Sequence, residues 1–176
     1  MKLNKIMLVA VMAFGVSSVA NAAVGDQGKG KVTFTGSIVE APCSISADSV
    51  DQTVELGQIA NKVLENGGQS KPRSFEIKLE QCDMSTPKTV NVTFTGDVSA
   101  KQPNFLGISG TASGASVGLI DTASTQVKLG TPTKNYALTD GNNSLRFAAF
   151  LKGDGADTPI VAGDFTAVTD FTLAYQ

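Results

Sequence analysis

A chain of 176 residues with 16 acidic and 14 basic side chains carries a formal net charge of −2 and contains neither histidine nor tryptophan. Without imidazole there is no Ser-His or Cys-His pair and no histidine metal ligand, and without a basic excess a nucleic-acid partner is not expected. The composition, 41% hydrophobic and 17% charged, suits a single domain with its own core.

Residues 1–22 read as a signal peptide. Lys2 and Lys5 make a short basic start, residues 6–20 are an apolar run short for a bilayer, and Ala20-Asn21-Ala22 supplies the small residues of a cleavage site. Removing Lys2 and Lys5 leaves 12 basic against 16 acidic residues, a net charge near −4 for the exported part. No second apolar stretch of membrane-spanning length follows.

A glycine-rich stretch, residues 23–31, leads into K-V-T-F-T-G-S-I-V, where Val32, Phe34, Gly36 and Ile38 fall on one side of an extended segment. Gly36 weakens an ordinary strand at that point but permits close backbone approach. Cys43 and Cys82 both lie in the exported part, where a disulfide is the default expectation. In the chain-entropy model, closing that loop stabilises the fold by about 4 kcal/mol.

From Cys43 the chain reads as short strands separated by turn residues. Residues 43–45 and 53–56 look like two halves of a broken first strand, and residues 57–65 carry a weak helical pattern ended by Asn66-Gly67-Gly68. Phe75, Ile77 and Leu79 alternate with charged residues in a strand that delivers Cys82, and Val90, Val92 and Phe94 mark the next. Residues 98–118, rich in Ser, Ala and Gly, read as a long surface connection with a strand starting near Ser116. Short strands are expected around Val117 and Leu119 and around Val127 and Leu129. A clear one follows the turn at residues 140–143, with Leu145, Phe147, Ala149 and Leu151 on one face.

The final segment opens at Gly163 and alternates without fault. Phe165, Ala167, Thr169, Phe171, Leu173 and Tyr175 share one face, and Asp164, Thr166, Val168, Asp170, Thr172 and Ala174 the other. The chain stops at Gln176, so this reading expects no later segment to cover the strand's free edge, and a long apolar edge is a template for another chain.

Seven or so short strands with few helical signals argue for an all-β antiparallel sandwich. The C-terminal pattern from Gly163 to the penultimate Tyr175, the glycine-centred segment around Gly36 and the A-P-C-S-I beginning at Ala41 together resemble pilin subunits of the chaperone-usher pathway. Across the exported chain the likeness is to major rod subunits of the P pilus and type 1 fimbria kind. The resemblance implies an incomplete immunoglobulin-like sandwich lacking its last strand. It divides the chain into a signal peptide (1–22), an N-terminal donor-strand extension (23–41) and a pilin domain (42–176).

It further implies that Val32, Phe34, Gly36 and Ile38 form a donor strand for the neighbouring subunit. Gly163, Phe165, Ala167, Phe171, Leu173, Tyr175 and Gln176 would flank the acceptor groove and contact a periplasmic chaperone. Partners on this reading are identical subunits, the chaperone, an outer-membrane usher and other pilus subunits, with export through the periplasm to an extracellular fimbrium that supports adhesion. A minor adaptor subunit and a self-complemented secreted binding module are the alternatives. No catalytic residue, metal, cofactor or small-molecule substrate is expected; the carboxylates at Asp154 and Asp157 lack the ligand spacing of a calcium loop.

Overall fold

The computed structural model describes residues 29–83, 85 and 88–176; the signal-peptide reading of residues 1–22 and the stretch 23–28 lie outside them. The chain divides into two units, Met1–Ile38 and Val39–Gln176. In the first, the described residues 29–38 form no helix or strand, and the side chains of Val32, Phe34 and Ile38 are exposed. Every other described phenylalanine is buried or half-buried.

The second unit is an antiparallel two-sheet sandwich. Its larger sheet contains β1 (Ser44–Ile45), β2 (Arg73–Cys82), β8 (Gly141–Gly153), β5 (Ala115–Asp121) and β6 (Gln126–Val127), paired in that order. The facing sheet pairs β10 (Thr169–Tyr175), β3 (Thr89–Gly96) and β7 (Tyr136–Ala137), and a two-stranded ladder joins β4 (Ser109–Gly110) to β9 (Phe165–Thr166). Alternation dictates which residues meet between the sheets: Ile77, Leu79, Leu145 and Phe147 from one side close on Val90, Val92 and Phe94 from the other. Phe94 is the hinge of that packing, edge-to-face on Phe147 with centroids 5.0 Å apart and within 6.4 Å of both Phe75 and Phe171.

The disulfide joins Cys43 to Cys82, both buried, and ties the start of β1 to the end of β2. The expected broken first strand is found only in part. After Ile45 the chain turns into α1 (Ala47–Val50), and the Ser49 hydroxyl, 3.0 Å from the Lys78 amide, accepts the bond a continuing strand would have taken. Gln52 donates to the Glu76 carbonyl in the same way. Residues 53–56 are therefore not a strand: they have no backbone ladder, although Val54 and Leu56 keep the alternation of one. The weak helical pattern condenses to α2 (Asn61–Leu64) and a single 3-10 turn, Glu65–Gly67.

The expectation of a surface connection over residues 98–118 is corrected in its middle. Phe105 and Leu106 are buried, and Leu106 bridges both Val98 and Val117. Ser99, Gln102, Ser116 and Asp154 form a hydrogen-bonded cluster that fastens the loop to the end of β8. β7 was not expected, and the last strand is split into β9 and β10 at Ala167-Val168, where its neighbour changes from β4 to β3. That crossing is tight, since a Cβ on Gly96 would lie 2.6 Å from the Val168 carbonyl. Among the described residues, no helix is long and apolar enough to cross a membrane.

Candidate functional site: an open groove beside the last strand

The C-terminal alternation survives intact into three dimensions. Residues 165, 167, 169, 171, 173 and 175 are half-buried, while 164, 166, 168, 170, 172, 174 and 176 are exposed. Pairing with β3 sets Phe171 opposite Phe94, Leu173 opposite Val92 and Tyr175 opposite Val90, so one apolar face is aimed into the sandwich. The far end of the strand is fixed as well. The Gln176 carbonyl accepts from the amides of Lys88 and Thr89, both at 2.9 Å, and its side chain accepts from Asn135. Burial pushes the Tyr175 phenol up.

These side chains are half-buried rather than buried because, among the described residues, β10 has a strand on one side only. Along its other side runs a groove of about 1320 Å³, walled by residues 160–171 and, opposite, by Ile45 and the stretch 50–61. Its floor is core: Leu106, Val117, Ala149 and Leu151 line it while keeping 6% or less of their surface exposed. Small-molecule pockets run to roughly 300–1,000 Å³ and enclose their ligand. This space is instead an open trough floored by core residues, with residues 160–171 on one side and 50–61 on the other.

Of the residues singled out in the sequence, Phe165, Ala167 and Phe171 line the groove together with Gly163, whose Cα packs so closely on Thr111 and Ala112 that a Cβ would collide with them. There the Asp164 carbonyl accepts from both the Thr111 and Ala112 amides, and the Asp164 amide donates to the Thr111 hydroxyl. Leu173 and Tyr175 are not in the lining; they pack on the core further along β10. Sequence reasoning missed the opposite wall and the floor. Val54, Leu56 and Ile59 carried a signal, read there as strand and helix, whereas Leu106 carried none.

A two-sheet antiparallel sandwich whose last strand borders an unfilled apolar groove is a sandwich short of one strand. The model of the fimbrial protein family matches residues 32–176, and the chain belongs to that family. It is 67% identical to the Fimbria A protein of Serratia marcescens and 49% identical to the Major MR/P fimbria protein of Proteus mirabilis, each over the whole of both chains. Among solved structures it is similar to a chaperone-usher pilus subunit, with 34% identity and a TM-score of 0.78 over 88% of this chain and all of that one. The P pilus rod subunit PapA gives 32% identity and a TM-score of 0.69 over 77% of this chain and all of that one. The fold is the incomplete immunoglobulin-like sandwich of those pilins.

Proposed function

We infer that the protein is the major structural subunit of a fimbrial rod and polymerises by donor-strand exchange. The observation that carries this is the open groove beside β10, with a floor of core residues and, among the described residues, no strand over it. Residues 32–38 supply a strand of the right kind. Their apolar side chains alternate, Phe34 and Ile38 are 90% and 104% exposed, and seven extended residues span about 23 Å, as do the seven residues 165–171 of the groove's wall. Val32, Phe34 and Ile38 of one subunit fill the next subunit's groove, with Gly36 where the inserted backbone passes closest.

Burial of those three side chains contributes roughly 5–8 kcal/mol before ordering costs, and each ladder bond about 1 kcal/mol more. This is strand addition, in which main-chain pairing supplies affinity and alternate side chains supply selectivity. Before assembly the same groove and the β10 edge are occupied by a strand lent by a periplasmic chaperone, exchanged at an outer-membrane usher. The product is an extracellular fimbrium that supports adhesion.

The test is size-exclusion chromatography of the exported chain with and without residues 23–39. Polymer from the longer form and monomer from the shorter, with polymerisation of the shorter form blocked even at high concentration, is the expected result. Identical elution of two stable monomers would favour a self-complemented sandwich.

A further inference from the structure

The groove's two rims carry charge of one sign. Asp51 and Glu55 on one wall and Asp164 and Asp170 on the other contribute to its lining, and among the described lining residues there is no lysine or arginine. Arg73, whose guanidinium reaches Gly57 at the groove's edge, offsets part of this. Between residues 29 and 39 the charged side chains are Lys29 and Lys31 alone. The two-residue period places them on the face opposite Val32, Phe34 and Ile38. Asp164 and Asp170 stand on the exposed face of the C-terminal strands, opposite Phe165 and Phe171. A segment laid beside β9 and β10 with its apolar face down therefore turns its lysines to the same outward side as these carboxylates, where opposite charges attract without needing a fixed pairing.

We propose that Lys29 and Lys31 of an incoming second copy are drawn to this acidic rim, so that subunit addition is electrostatically steered. The inference rests on donor-strand exchange as the assembly step. Steering of exposed charges acts on the rate of encounter and is screened by salt, leaving the assembled joint nearly unchanged.

The experiment follows polymer growth of the full exported chain by light scattering between ~20 mM and ~500 mM NaCl, a range over which the screening length falls severalfold. The unaltered chain is expected to slow by about fivefold across that range, and K29E/K31E to grow at the high-salt rate or below throughout. K29Q/K31Q falls between them. Adding D164K/D170K to the acceptor restores K29E/K31E growth at low salt, an outcome that a merely structural role for the lysines does not give. Equal salt dependence for all four proteins, or no rescue by the paired reversal, overturns the proposal. No polymer from the unaltered chain at any salt concentration overturns donor-strand exchange itself, and this inference with it. Polymer that grows at a salt-independent rate overturns the steering alone.

Discussion

Truncating Phe34 to alanine separates the stability of a subunit from the stability of the joint between subunits. Phe34 is 90% exposed, so its ring contributes no burial within one chain, and the Phe34→Ala subunit melts with the unaltered one. On the proposed exchange the same ring would fill a pocket in the joint, and replacing a buried phenylalanine by alanine costs about 3–5 kcal/mol, or roughly a hundredfold or more in the equilibrium between joined and separate subunits. Phe94→Ala is the control with the opposite signature. That ring is 1% exposed and packed on Phe75, Phe147 and Phe171, so its loss lowers the subunit's own melting temperature, by about 10 °C or more. The assay is the denaturant concentration at which isolated polymers fall to monomer, read beside the thermal melt of the monomer. A monomer melt lowered by Phe34→Ala as much as by Phe94→Ala would show that the segment already lies in its own groove, and the reasoning would fail.

Gly36→Leu should leave the monomer melt intact and abolish polymer growth, because the side chain would stand where the inserted backbone passes closest; normal fibre yield would show that the register is wrong. Replacing Cys43 and Cys82 together by alanine should lower the monomer's stability by about 4 kcal/mol in the chain-entropy model, measured by urea unfolding, and a loss well under 1 kcal/mol would contradict it. Asp121, buried at the end of β5, is pushed up by burial but held below the usual carboxylate range by Lys134 at 2.9 Å and by the Thr125 and Ala123 amides. Its contribution is therefore complete above the unfolded value of about 4 and lost as pH falls through the folded one. Asp121→Asn should cost about 1–3 kcal/mol at pH 7 and flatten the decline below pH 4; an unchanged acid limb would refute the assignment.

Stretches of this chain that alternate apolar and polar residues in the same way do not all end as strands. Residues 165–175 were legible in full at the level of faces, since burial follows the period residue by residue, and β2, β3 and β8 appeared where their alternation lay. Residues 53–56 show the same pattern without becoming a strand, because Ser49 and Gln52 take up the β2 edge and the groove separates the stretch from β10. Phe105 and Leu106 were hidden for another reason. Two buried residues in a stretch of Ser, Ala and Gly make no period, and they are held inside by polar contacts among Ser99, Gln102, Ser116 and Asp154 that are distant in sequence. Alternation reports which side of a segment is apolar; only a ladder partner makes the segment a strand. By that distinction residues 32–38 and residues 53–56 are of one kind, strand-like faces without a ladder. The first is exposed, and the second borders the space that an added strand would fill.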